Sequence, residues 1–544
     1  MFFIHKKPPR SHAVGEPLLH DNHPLPVTRR DFVAAGFLSG PAVVMAPAWL
    51  GALLKSSRAN AALSADMQAL LASTQCNVPS ASSGLPFICF DLAGGANLVG
   101  SEVIVGTQGG QSNFLSTAGY GKLGVPGNMV PSSSANVDAS LGLLFHADAA
   151  IKRGILSKAT TPATASRTNG AVFCAMSQND TQNNPHNPMY GIAMAGAQGQ
   201  LLTLIGTESS VSGGNSMAPM MLINPSLQPT TISQPSDSTA LVPVPPGGVQ
   251  DPLSVAVLES QARISGGSTP QSGSGDTAAF TGALTQPNGG SPGVQLYAGN
   301  DPTQDAALKN QVRCAYVKAA NTADLFGNPA ALDPTQDPLI IGGGTPIFTA
   351  SDFQDNDVAK TATVMKLVLD GFAGAGTITL GGYDYHDGTR ATGEDRNFKA
   401  GQMIGAVLEY AQRKGVPVMV YVFSDGSLTS TGMVDNSAGG RGKLGWQGDN
   451  SSVAATLFLV FSPRGRPVLR NGVAGQQIGW FSSDGSVVSS SSPAANSINQ
   501  IPELIMLNYM GLAGTDAQFP TLFPMQGLGP SASLAAMTVF EPII

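Results

Sequence analysis

"TITLGGYDYHDGTRATGEDRNFKAGQMIGAVLEYAQRKGVPVMVYVFSD", residues 377–425, decides the fold class. It opens on one short apolar run, Thr377 to Gly382, and closes on another, Pro417 to Ser424. The second run does not alternate as a half-exposed strand would, which is the pattern of strands covered on both faces of a parallel sheet. Buried helix segments would carry the same pattern. Between the runs, Phe398, Ile404, Val407, Leu408 and Ala411 recur with helical spacing, and Gly415 supplies the stop. Thr392 and Asp395 have the separation of a capping box, with Asp in place of the usual Glu or Gln, so the helix is expected to begin there. Strand, helix and strand together make one right-handed crossover unit of an α/β sheet.

Further strands are expected at Pro86 to Leu92, Ala171 to Met176 and Ala455 to Ser462, and a helix at about Asn356 to Phe372. Val358, Met365, Val368, Leu369 and Phe372 lie along one side of that helix. From about Ser209 to Gly293 the chain is dense in Gly, Pro, Ser, Thr and Gln, a composition that buries little and predicts a loop-rich insertion. "PLSVAVLESQARISG", Pro252 to Gly266, is expected as a short helix within it. The fold class is therefore α/β: one domain over 62–544 with a mostly parallel sheet and an insertion at about 209–293.

Of the 544 residues, 42% are hydrophobic, enough for a sizeable core, and only 12% are charged. That is roughly half the usual charged share of soluble domains. The net charge is −7 and no basic stripe with interleaved aromatics occurs, which argues against nucleic-acid binding. Residues 1–61 read as a targeting segment. "TRRDFVAAGFLSG" resembles a twin-arginine export signal, with Arg29, Arg30 and Phe32 in place, and "ANA" at Ala59 to Ala61 fits a small-x-small cleavage site. The expected partner during export is the twin-arginine translocase, and the expected location is periplasmic or extracellular. A membrane anchor arises only if the segment stays uncleaved, and Pro41 and Pro47 interrupt its apolar run. In an oxidising compartment Cys76, Cys89, Cys174 and Cys314 would form one or two disulfides, with three full pairings open. Only His146, His186 and His386 follow the targeting segment.

Ligands of parallel α/β sheets bind beyond the carboxyl ends of the strands. Asp91 ends the first expected strand, and the second opens into "SQNDTQNNPHNPMYG", with Asp180 and His186. Asp384 follows the third, with His386 and Asp387 close behind, and Asp425 ends the fourth. Asp449 and Asn450 stand just ahead of the fifth. Were the strands parallel neighbours, these side chains would converge. Asp and His suit Zn, Mn or Fe, and carboxylates also suit Mg or Ca. The same aspartates would serve equally as Asx turns or helix caps. His146, in "LGLLFHADAAIKRG" where a helix is expected to start, reads as a capping or packing residue.

The arginine signal, "FDLAGGAN", "NNPHNPMYG", "LGGYDYHDG", "VYVFSDGS" and "WQGDN" follow one another as do the blocks of a bacterial exported family. The chain resembles that domain-of-unknown-function family, itself related to sulfatases and alkaline phosphatases. The resemblance spans about Pro86 to Gly514 and is weak in the Gly/Ser-rich middle. It implies an alkaline-phosphatase-like three-layer sandwich and, by analogy, a metal-assisted ester hydrolase. Asp384 and His386 match the Asp and His of the family's Gly-Gly-Phe-Asp-Thr-His pattern. Ser424 and Asp425 match its Ser-Glu, Asp449 its Asp-His, and His186 its Ser-His. Three departures stand out: Asn450 replaces the second histidine, Pro185 replaces the serine, and Asn97 stands where an Asp is expected after the double glycine.

Two functions follow. One is an exported cell-envelope protein on this scaffold with degenerate or no catalysis, a pseudoenzyme that binds a ligand or partner, the insertion serving as a docking surface. The other is a metal-dependent hydrolase of phosphate or sulfate esters. Asp91, His186, Asp384, His386, Asp425 and Asp449 would then bind a divalent metal (Zn, Mn, Mg or Ca). Its nucleophile would be a water activated by the metal or a hydroxyl, Ser177 and Thr181 being nearest. A calcium-stabilised structural site would use the same carboxylates.

Overall fold

The computed structural model describes residues 66–67, 83–177, 184–241, 314, 317 and 329–544. Residues 1–61, where a targeting segment is expected, Cys76, Asp180, Thr181 and residues 242–293, with the helix expected at 252–266, lie outside the described residues. The strands, in chain order, are β1 (Phe87–Leu92), β2 (Val137–Asp138), β3 (Phe145–His146), β4 (Thr168–Ala175), β5 (Leu202–Gly206) and β6 (Thr230–Thr231). They continue with β7 (Ala373–Leu380), β8 (Val418–Ser424), β9 (Leu428–Val434), β10 (Leu444–Asp449), β11 (Ala454–Phe461) and β12 (Gln477–Ile478). Five helices frame the site: α1 (Ala150–Lys158), α2 (Met189–Met194), α3 (Asn356–Leu369), α4 (Ala391–Lys414) and α5 (Ile501–Leu512).

Eight strands form one sheet in the order β12-β4-β11-β8-β1-β7-β5-β6. β1 lies between β7 and β8 and is parallel to both. Successive side chains of a strand point to opposite faces, and both faces here are apolar. Ile88, Phe90 and Leu92 join Val418, Val420 and Val422 in one core with Val364, Val368, Val407 and Leu408 of α3 and α4. Phe87 and Cys89 join Met419, Tyr421 and Phe423 in a second core with Met189, Ile192, Leu504 and Tyr509 of α2 and α5. The result is a three-layer α/β sandwich, as the uninterrupted apolar runs require. Among the described residues no helix is long and apolar enough to cross a membrane.

One expectation about direction fails, and the failure matters. β11 runs antiparallel to both of its neighbours, β8 and β4. A parallel β11 would have carried Asp449 to the opposite edge of the sheet. Because the strand is reversed, its amino end, preceded by Asp449 and Asn450, meets the carboxyl ends of β1, β7 and β8.

The start of α4 also differs from expectation. Its N-cap is Arg390, whose side chain makes no capping bond, and Gly415 closes the helix in the left-handed region at φ 69°. Thr392 lies inside the first turn and donates to Asp387 Oδ2 at 2.9 Å instead of capping. Asp387 Oδ1 accepts from Thr389 N at 2.9 Å, so this carboxylate builds the turn before the helix. His146 does what its position implied: Nδ1 accepts from Asp148 N at 3.1 Å, and Nε2 donates to the Met129 carbonyl at 3.0 Å. Cys314 is disulfide-bonded, whereas Cys89 and Cys174 are free and buried. The first part of the expected insertion is not an excursion, since β6 pairs with β5 and completes the sheet.

α1 crosses α4 closely because glycines meet there. A Cβ on Gly401 would lie 2.1 Å from the Ile151 carbonyl oxygen, and one on Gly154 would lie 2.1 Å from that of Phe398. Backbone cannot swing aside as a side chain can. Gly401→Ala should therefore overpack the crossing and cost about 1–3 kcal/mol, read as a lowered midpoint in chemical denaturation; an unchanged midpoint would mean the helices separate without penalty.

Candidate functional site at the carboxyl edge of the sheet

The segment after β7 keeps a two-residue alternation. Tyr383 and Tyr385 are buried, while Asp384 and His386 face solvent. Tyr383 Oη donates to the Arg396 carbonyl at 2.8 Å, and Tyr385 Oη donates to Asn397 Oδ1 at 3.1 Å while accepting from Asn97 N at 3.0 Å. The rings anchor the segment to α4, and period two then sends the acid and the imidazole out on the same side. His386 Nε2 stands 2.7 Å from Asp384 Oδ1.

Asp449 arrives from the other direction, at the end of the β9–β10 hairpin opposite Leu428. The donor atoms of Asp384, His386 and Asp449 lie within 4.8 Å of one another, and all three residues are exposed. Two ligands at about 2.1 Å from one ion stand at most about 4.2 Å apart, so a small turn of these side chains brings the set to coordination distance. Two carboxylates and one imidazole suit a divalent ion, and the open solvent side leaves further positions. Gly94 and Gly95 allow the approach. Gly94 has φ +130°, and a Cβ there would lie 2.3 Å from Asp384 N; one on Gly95 would lie 3.3 Å from Asp449 Oδ1.

The loop and the hairpin are tied together from below. Gly388 N donates to the Trp446 carbonyl at 2.9 Å, and Trp446 N donates to that of Thr389 at 3.0 Å. Beneath them Arg390 and Lys443 are both buried and share Glu394 Oε1. Arg390 Nε reaches it at 3.0 Å and Lys443 Nζ at 2.7 Å. The Arg390 guanidinium also lies over the Trp446 ring, 4.5 Å from its centroid. Burial pushes the Glu394 carboxyl up, but Arg390 and Lys443 outweigh it and hold Glu394 below the ordinary range. Glu102, buried nearby and bonded to Asn397 Nδ2 at 3.1 Å, is pushed up by burial. None of these four charges was singled out from the sequence, because a buried ion cluster has no periodic signature.

The other three expected ligands form a separate, buried set. Asp91 Oδ2 accepts from the amides of Asn215 and Ser216, each at 2.7 Å, and Oδ1 from Ser216 Oγ at 3.2 Å. Burial pushes its carboxyl up to about 6 in spite of these bonds. His186 stacks on Phe423 with ring centroids 5.6 Å apart. Its Nε2 is 3.8 Å from Asp425 Oδ1, and neither ring nitrogen has a hydrogen-bond partner. Burial lowers the imidazole to about 4, so it is neutral at pH 7. His186 and Asp425 have a ligand-like separation, but Asp91 is already engaged by three donors of the Asn215–Ser216 segment, and His186 with Asp425 falls short of the three or four ligands that hold zinc. The six expected ligands thus divide three and three.

The remaining expected residues are committed elsewhere. Ser177 Oγ donates to the Asp425 carbonyl at 2.5 Å. Asn450 Oδ1 accepts from Ser452 N at 2.9 Å and so caps a turn. Asn97 Nδ2 donates to the Leu428 carbonyl at 3.0 Å. Ser424 Oγ accepts from Ala96 N at 2.8 Å and lies 2.8 Å from the Leu92 and Gly94 carbonyls, fixing the glycine loop. Asn215 and Ser216, which hold Asp91, fell within the stretch read as insertion.

No family model, no curated protein and no solved structure matches this chain. The likeness to the exported family rests on its motifs alone.

The buried set has opposing pH dependences. His186 titrates near 6.5 when unfolded and about 4 when folded, so the unfolded chain takes the proton first. It therefore costs stability progressively as pH falls between those values. Asp91 titrates at about 6 folded and 3.8 unfolded, so the folded chain takes its proton first and regains stability over nearly the same range. His186→Phe removes the first effect and two unpartnered nitrogens. Wild type should lose roughly 3 kcal/mol relative to this variant between pH 7 and pH 4, measured by denaturant midpoints at each pH; a pH-independent difference would show that the imidazole is not held neutral. Arg390→Ala leaves Glu102 and Glu394 with buried Lys443 and, on Glu394 Oε2, the partly exposed Arg153, and should cost about 3–5 kcal/mol. Arg390→Lys, which keeps the charge but not the planar fork, should lose less, and equal losses would exclude a role for the charge.

Proposed function

We propose that this chain is an exported cell-envelope protein on an alkaline-phosphatase-like scaffold whose hydrolytic site has degenerated. In this reading the carboxyl edge binds a divalent cation and, through it, an anionic ligand or partner. The observation that carries the reading is the division of the six candidate ligands. Asp384, His386 and Asp449 remain gathered and open to solvent. Asp91 is closed off by backbone amides, and the Ser177 hydroxyl is occupied by a carbonyl. When bound, the ion would supply a positive centre for a phosphate, sulfate or carboxylate group. The chain's own residues do the rest: the tyrosine anchors orient two ligands, and the hairpin presents the third.

A second reading, a metal-dependent hydrolase of phosphate or sulfate esters, is favoured by one feature. Three protein ligands with positions open to solvent are the arrangement of catalytic rather than structural metal sites.

Calorimetric titration with Zn²⁺ and Mn²⁺ should give one site in the full chain. The Asp384→Ala/His386→Ala variant should bind at least tenfold more weakly. The same preparations, loaded with metal, should turn over no ester in a phosphate and sulfate panel. Turnover abolished by Asp384→Asn would establish the hydrolase instead, and equal metal binding by the double variant would refute the site.

A further inference from the structure

The loop between β5 and β6 holds Asp91 with the amides of Asn215 and Ser216, and then continues as "MAPMMLI", Met217 to Ile223. Its residues are sorted in an unusual way. Ala218 is buried, and Leu222 and Ile223 pack on the core beneath α2 and α5. Met217, Met220 and Met221 face outward, 38%, 79% and 68% exposed. Methionine is as suited to burial as leucine, and a buried side chain of this size is worth about 1.5–3 kcal/mol. Ala218, Leu222 and Ile223 turn toward the core, and the three thioethers are the most exposed side chains of the segment.

The backbone holds them within reach of one another. Leu222 N donates to the Pro219 carbonyl at 2.9 Å, closing a tight turn with Met220 and Met221 at its two corners. Asn187 N donates to the Met217 carbonyl at 3.1 Å, which fixes the start of the segment. Met217 and Met221 are four residues apart, at most about 14 Å in extended chain and less across the turn, and each unbranched methionine has three rotatable bonds with which to fold over it. The three thioethers thus sit on one short turn.

We propose that Met217, Met220 and Met221 form a thioether site for Cu(I). Soft sulfur ligands select Cu(I), whereas carboxylate and imidazole oxygens and nitrogens suit harder ions such as Mg²⁺, Ca²⁺, Mn²⁺ and Zn²⁺. Thioethers carry no dissociable proton. Binding is thus independent of pH across the range where imidazole or thiolate sites lose their metal to protonation. No electron transfer is involved, since the ion enters and leaves as Cu(I). The site is separate from Asp384, His386 and Asp449 and does not depend on their role.

The test is an anaerobic Cu(I) competition titration of the full chain against a colorimetric Cu(I) chelator, at pH 5.5 and pH 7.5. One ion per chain with equal affinity at both pH values is expected. Met217→Leu/Met220→Leu/Met221→Leu, which changes only exposed positions to a residue of similar volume, should bind at least a hundredfold more weakly. Asp384→Ala/His386→Ala should bind Cu(I) like wild type. Absence of Cu(I) binding overturns the proposal, as does undiminished binding by the leucine variant. Loss of copper in the Asp384/His386 variant would place the ion on the other cluster. A leucine variant altered only in self-association would make the patch an apolar contact surface and overturn it too.

Discussion

The arrangement of the sheet's carboxyl edge depends on one buried carboxylate. Glu394 Oε1 receives Arg390 from its own helix and Lys443 from the β9–β10 hairpin, while Oε2 receives Arg153 from α1 at 2.6 Å. Three elements, α4, the β9–β10 hairpin and α1, are thus joined at a single side chain. Removing charges from water costs several kcal/mol per ion, so such a cluster adds little net stability over a well-packed apolar core. What it does contribute is register. An apolar contact tolerates sliding, whereas a bidentate guanidinium on a carboxylate does not. Trp446, stacked on Arg390, then fixes the level at which the hairpin delivers Asp449 beside Asp384 and His386.

Much of the sandwich was legible in the sequence, and the reason is burial. The five expected strands are present within a few residues of their expected ends, because strands covered on both faces tend to read as short apolar runs. The helix ending at Gly415 was legible from its apolar stripe and its left-handed stop. The direction of β11 was not, since "ATLFLVFS" reads the same whichever way its neighbours run. The start of α4 was misplaced for a local reason: Asp387 competes for Thr392 and takes it out of the capping geometry.

The candidate site was legible as a list of residues but not as an arrangement. Asp384 and His386 were recognisable because they follow directly on an expected strand, at the sheet's carboxyl edge; that the alternating Tyr383 and Tyr385 turn both of them outward was visible only in the structure. Asp91 carried the same outward signal, an acid at a strand end. Its environment is set instead by amides 124 and 125 residues away in sequence, which no local pattern announces. His186 shows the energetic consequence. Without a proton and without a partner, it behaves as an aromatic ring stacked on Phe423.

The loop from β5 to β6 connects these observations. Its first half closes Asp91 off from solvent with two amides, and its second half shows three thioethers to solvent. One short segment therefore removes a hard oxygen ligand from the edge and adds soft sulfur ligands beside it. Hard and soft donors partition metal ions by polarisability more than by charge. Were both proposed sites to bind, the carboxylates and imidazole on one part and the thioethers on another would select different ions. The backbone bond from Asn187 to Met217 ties the methionine turn to the segment that carries the buried imidazole, since Asn187 follows His186 directly.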